Sequence, residues 1–153
     1  MAVILAARRT AVCPRGGALA HLRIEDLAAP VMQAVLADAG IAGLSSENRF
    51  DAAYKAIMQC AMIGLWANGY RTSTSQPGHH QTALQVLPKT LGLERDVVIV
   101  LDALRKQRNL NDYEGDPVSD SAVAECCKQA ALLLEHTQAW LRKNHPDLLA
   151  SKG

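Results

Sequence analysis

The chain has 153 residues, of which 49% are hydrophobic, 20% charged and only 4% aromatic, and its formal net charge is +1. Such a length normally makes one domain, with a core built from Ala, Leu, Val and Met, and the composition favours helices over a sandwich or barrel. A charge so close to zero excludes bulk attraction to a polyanion, so any nucleic-acid or nucleotide partner must be met by a local patch.

The first element is an apolar run, residues 2–7, with the character of a short buried strand. It leads into Arg8, Arg9 and the turn-rich Pro14-Arg15-Gly16-Gly17. That order, apolar residues before the charges, is the reverse of a signal peptide. A helix is predicted over 25–39, with Leu27, Val31, Val35 and Leu36 on one side and Gly40 as its stop; Pro30 kinks it or moves its start towards Ala28.

From Ser46 the periodicity is clean. Phe50, Ala53, Tyr54, Ile57, Met58, Ala61, Leu65 and Trp66 recur at steps of three and four. They predict a central core helix, capped by Ser45 or Ser46 and ended by Gly69, with Arg49, Asp51, Lys55 and Gln59 off the stripe as surface residues. Residues 70–78 read as a loop. A short helix follows over 79–87, bent or ended by Pro88, with His79 and His80 at its start. Residues 96–101 have strand composition, yet Leu93, Val97, Leu101 and Leu104 keep helical spacing, so a helix is predicted over 94–109. After Gly115-Asp116-Pro117, Ser119 or Ser121 starts a last helix to about Lys143, with Val123, Cys127, Ala130, Leu134 and Leu141 inward.

Cys13, Cys60, Cys126 and Cys127 show neither a CxxC nor a Cys/His ligand spacing, so no metal and no cofactor is expected. Reduced core thiols suit a cytoplasmic protein. No apolar run approaches the ~18 residues of a membrane helix, and no membrane association is expected.

The segment with most chemical character is 104–115. Arg105 and Arg108 share a helix face, and Asp112 stands four residues beyond Arg108, whereas Tyr113 diverges from Arg108 by about 140° on a continuing helix. Arg108 suits a phosphate, because a planar guanidinium holds two of its oxygens at once. Arg105, Asn109, His79 and His80 are the further candidates for binding it. The same cations also serve as a solvated helix end that complements the macrodipole.

The segments LDALRKQRNLNDYEG, NRFDAAYKAIMQCA and GYRTSTSQPGHHQTALQVLPKTLG, with the long helical tail, resemble the HEPN superfamily of small helical bundles over residues 43–149. The resemblance implies an all-α, HEPN-like bundle. Family members often carry an Arg-polar pair and, after a short spacer, a His, in metal-independent RNases of toxin, antitoxin-paired and antiviral systems. Arg108-Asn109 matches the first half, and Tyr113 stands where the His belongs. Arg108 and Tyr113 are thus the candidate catalytic pair. A phenol is a donor rather than a base at neutral pH, so the resemblance implies a nucleotide- or RNA-binding or interaction module with a degenerate RNase motif, and a working endoribonuclease as the alternative. It also implies a homodimer that buries the 104–115 segment or its neighbours, and a cognate antitoxin or nucleotidyltransferase as partner.

Residues 2–41, AVILAARRTAVCPRGGALAHLRIEDLAAPVMQAVLADAGI, resemble instead the first strand, loop and helix of a thiolase. None of that family's chemistry lies in this stretch, and a thiolase fragment with residual acyl transfer is the minor alternative. Residues 1–41 are therefore expected to be an appended N-terminal strand/loop/helix fragment, separable from the bundle, because an orphan strand has nothing to pair with.

Overall fold

In a computed structural model of the chain, the described residues are 43–70, 77–115 and 117–146. Five helices appear among them: α1 Ser46–Ala67, α2 His79–Gln85, α3 Leu87–Thr90, α4 Arg95–Glu114 and α5 Asp120–Asn144. The described part is all-α, with no strand among its residues. The strand, loop and helix expected over 2–41, with Cys13, lie outside it, as do residues 71–76 of the predicted loop.

The helix ends follow local chemistry. Ser45 caps α1 by accepting the Asn48 backbone N–H at 3.2 Å, and Ser119 caps α5 by accepting that of Ala122 at 3.2 Å. Each bond satisfies one of the amides that a helix start leaves without an internal partner. Past the C-terminus of α1, Asn68 donates through Nδ2 to the carbonyls of Gly64 (2.7 Å) and Thr90 (2.9 Å), fastening the helix end to α3. Gly115 ends α4 with φ 69°, a conformation that costs glycine little. The predicted 79–87 helix is divided at Val86, and Pro88 sits in the first turn of α3, where its missing N–H leaves no bond broken.

Helix α1 is the axis of the core. Its predicted stripe is buried except for Trp66, which is half-buried, and Ala56, Cys60, Ile63 and Gly64 are buried as well, so the helix is covered on more than one side. Helix α5 runs beside it in the same direction: Ser46 Oγ donates to Asp120 at 3.0 Å, and about 6–9 Å further up the pair, by the ~1.5 Å rise per residue, Cys126 Sγ lies 3.8 Å from the Phe50 carbonyl. Helix α4 runs the other way. Its C-terminal half reaches Asp51, while at the far end Leu91, just before α4, meets Gly64. A Cβ at Gly64 would stand 2.8 Å from Leu91 Cγ, so the close approach of α1 to the α3 end depends on a residue without one.

Two sequence expectations need correction here. Cys126, fully buried, is the inward thiol of α5, and Cys127 is half-buried at the edge. Asp51, expected on the surface, is only 34% exposed and is bound to two cations.

Candidate functional site

Asp51, Tyr54, His79, His80, Arg105 and Arg108 come together where α1, α2 and α4 meet. Tyr54 is the floor. It is 1% exposed, so its ring belongs to the core, and Arg108 Cζ lies over that ring at 5.4 Å from the centroid. A guanidinium over an aromatic face gains from the ring quadrupole. Two carboxylates hold it from the sides: Nε donates to Asp51 Oδ1 at 3.1 Å, and Nη2 stands 3.5 Å from Asp112 Oδ2. The side chain remains 27% exposed. Its outer edge therefore faces outward beside Asp112.

The same Asp51 accepts Lys55 Nζ at 2.7 Å. Burial opposes its ionisation, but the hydrogen bonds and charges of Lys55 and Arg108 hold the carboxyl below the usual range. On the next turn of α4, Arg105 Nε donates to Asp102 at 2.8 Å with Lys106 at 3.2 Å from the same carboxylate, and Arg105 is only 14% exposed. Four cations thus face three carboxylates, and the cluster keeps a small excess of positive charge. That suits one anionic group better than a long polyanion.

His80 closes the cluster from α2. Its Nδ1 is 3.5 Å from the Tyr54 hydroxyl, and the ring of His79 packs edge-on against it at 4.4 Å between centroids. Burial lowers the His80 pKa, and the neighbouring His79, Arg108 and Arg105 lower it further, so the imidazole is neutral at physiological pH. Burial pushes the Tyr54 phenol up to about 12, which makes it a hydrogen-bond donor across the whole working range. A neutral imidazole beside a fixed guanidinium can accept a proton; the phenol between them cannot.

The lowered His80 pKa carries a pH signature. The folded protein binds fewer protons there than the unfolded chain, so stability is fully present above the ordinary His value of 6.5 and falls as pH drops through and below it. Asp51 adds a second loss beginning below its ordinary 3.8. Urea unfolding of His80→Ala should therefore show a flatter stability profile between pH 7 and pH 5 than that of the unaltered chain. Parallel profiles would show that His80 is not held neutral.

Of the sequence candidates, the structure brings Arg105, Arg108, His79 and His80 to one place. Asn109 is half-buried, one residue beyond Arg108. Tyr113 is 87% exposed and lies on the opposite, outer face of α4, which it shares with Ile99 (67% exposed) and Leu110 (41%). Asp51, Tyr54, Asp102 and Asp112 are the members that the candidate list lacked. Asp112 was legible as an i+4 partner; the others carry no spacing that ties them to Arg108.

Among the described residues no group of three or more His, Cys, Asp or Glu side chains is placed to hold a metal, and no helix is long and apolar enough to cross a membrane. The three described cysteines are free, and burial pushes the Cys60 and Cys126 thiols up to about 12. Compared with protein-family models, curated proteins and solved structures, the chain matches none of them.

Proposed function

We propose that the chain is a HEPN-like binding module that takes a phosphate of a nucleotide or an RNA strand against Arg108. The observation that supports this most is the fixing of Arg108 over Tyr54 by Asp51, with its outer edge still open to solvent. A guanidinium so held loses little side-chain freedom on binding, and an incoming phosphate has to displace only the long contact to Asp112. His79, His80 and Arg105 complete the surroundings of that anion. Pairing of two copies along the exposed outer face of α4 belongs to the same reading.

The position of His80 favours a second reading, a metal-independent ribonuclease. In it the 2′-hydroxyl attacks the adjacent phosphorus while His80 accepts its proton in place of Tyr113, Arg108 stabilises the charge that gathers on the phosphoryl oxygens, and the P–O5′ bond breaks, the 5′-oxygen leaving with a proton from water.

Arg108→Ala should weaken binding of a labelled oligoribonucleotide or nucleotide by about 1.5–3 kcal/mol, roughly 10- to 150-fold, and Arg108→Lys should recover only part of it. Cleavage without metal, leaving a 2′,3′-cyclic phosphate and lost in both Arg108→Ala and His80→Ala, would select the ribonuclease. Equal, weak binding by the unaltered chain and Arg108→Ala would reduce the cluster to an intramolecular ion pair. Light scattering at micromolar concentration reads the pairing, and a monomer mass would remove it.

A further inference from the structure

Arg108 presents two edges to anions, and they are occupied differently. Nε donates to Asp51 Oδ1 at 3.1 Å while the guanidinium lies over the Tyr54 ring, so this edge belongs to the bundle. At the outer edge Nη2 stands 3.5 Å from Asp112 Oδ2, longer than the ~2.7–2.9 Å of a charge-assisted hydrogen bond. Asp112 is 52% exposed and is bound to nothing else among the described residues, so it can turn out into water at little cost. An oxyanion thus already sits where a ligand's would, and it is held loosely.

The charges around that outer edge are lopsided. Towards the C-terminus of α4 the bundle ends in exposed carboxylates: Asp112 and Glu114 on α4, Glu47 at the start of α1, and Asp120 at the start of α5, which accepts Ser46 Oγ at 3.0 Å. The one described cation at that end, Arg49, stands two residues before Asp51 and so points about 160° away from it, towards Cys127. In the other direction lie Lys55, paired with Asp51, and Arg105, one turn back from Arg108. An internal phosphate of a strand has a charged neighbour on each side. A strand laid along α4 through Arg108 sets one of these neighbours over the acidic end, and a strand laid across it sets one over the apolar outer face of Leu110 and Tyr113. A phosphate at the end of a molecule has a neighbour on one side at most.

We infer, on the reading that Arg108 takes phosphate, that the ligand is a phosphate monoester at the end of a nucleotide or nucleotide strand, and that it enters by displacing Asp112 from the outer edge of Arg108. The exchange is balanced in charge. With Asp112 turned away, Lys55, Arg105, Lys106 and Arg108 face only Asp51 and Asp102. That excess of two positive charges, partly screened by solvent, is met by a monoester, which has about −1.5 to −2 at pH 7 and three acceptor oxygens. A diester, with a single charge and two free oxygens, replaces the Asp112 carboxylate by an anion of no greater charge. Asp112 thereby sets a threshold, since an anion no more charged than a carboxylate gains little by the exchange.

The test is calorimetric titration of the full chain with one 2′-O-methyl oligouridylate bearing a 5′-phosphate, a 3′-phosphate or hydroxyls at both ends. The 2′-O-methyl groups remove the nucleophile, so no cleavage alters the ends. Uridine 5′-monophosphate against uridine is the same comparison without a strand. A phosphorylated form of the strand or of the nucleoside should bind about tenfold or more tightly than its hydroxyl counterpart, and that difference should vanish in Arg108→Ala. Asp112→Asn should tighten the hydroxyl strand several-fold and so narrow the difference, because the carboxylate that an internal phosphate does not displace is gone. Equal binding of phosphorylated and hydroxyl forms, weakened alike by Arg108→Ala, would overturn the terminal preference and leave the phosphate reading standing. A preference that survives Arg108→Ala would place the terminal phosphate elsewhere, and affinities unchanged in Asp112→Asn would overturn the displacement. If no form binds, or Arg108→Ala leaves every affinity unaltered, the phosphate reading itself fails and the inference fails with it.

Discussion

Tyr54→Ala should destabilise the fold by about 3–5 kcal/mol, the range for removing a large aromatic ring from a close-packed interior. Tyr54→Phe should cost no more than about 1 kcal/mol. The asymmetry follows from how the residue is used. Its ring is 1% exposed and supports Arg108 at 5.4 Å, so truncation opens a cavity and removes the floor under a cation that only Asp51 and Asp112 then hold. Its hydroxyl makes one contact, 3.5 Å to His80 Nδ1, which is at the long limit of a hydrogen bond. Denaturant unfolding followed by circular dichroism reads both numbers. If the Phe variant loses as much as the Ala variant, the hydroxyl is part of a tighter network than this geometry shows. If the Ala variant loses under about 1 kcal/mol, the α1–α4 contact is not the core contact described here.

What could be read from sequence was everything that local chemistry decides. Ser45, Ser119, Pro88 and Gly115 each act within a few residues of themselves, so the ends of α1, α3, α4 and α5 fall at or near the positions they mark. The faces of α1 were legible for the same reason. One step in register was not: Cys126 and Cys127 both continue an apolar pattern, and only the approach of the Phe50 carbonyl shows that Cys126 is the inward one. Helix α4 also runs on to Glu114, past the predicted 109, because Asn109, Leu110 and Asn111 break no rule that a helix must obey before Gly115 does. The candidate site was legible only on its α4 and α2 sides. Asp51 and Arg108 are 57 residues apart, and periodicity says which way a side chain points from its own helix without saying what the next helix brings to meet it. That is why Asp51 read as surface, and why Tyr113 was paired with Arg108 by motif although five residues of helix turn it to the other side.

The apolar run before Arg105 supplies the second large effect. Val97-Val98-Ile99-Val100-Leu101 has the composition of a strand, and in a strand Ile99 and Leu101 would share a face, because side chains alternate with a period of two. In α4 they point about 160° apart at ~100° per residue. Leu101 is 0% exposed and Ile99 67%. Leu101→Ala should therefore cost about 2–5 kcal/mol, while Ile99→Ala should stay within about 0.5 kcal/mol, since the lost surface contact is offset by the better helix propensity of alanine. Unfolding at two protein concentrations separates the folding term from any contribution of pairing along the outer face, because only the latter moves with concentration. The burial of Leu101 is what overrides the β-branched composition: a few tenths of a kcal/mol of unfavourable helix propensity at each Val or Ile is outweighed by one fully buried leucine at about 1.5–3 kcal/mol, together with Leu104 a turn later. Equal losses at the two positions would mean that the run is not helical. The frame that carries Arg105 and Arg108 to Tyr54 would then fail with it, since both arginines take their direction from this helix.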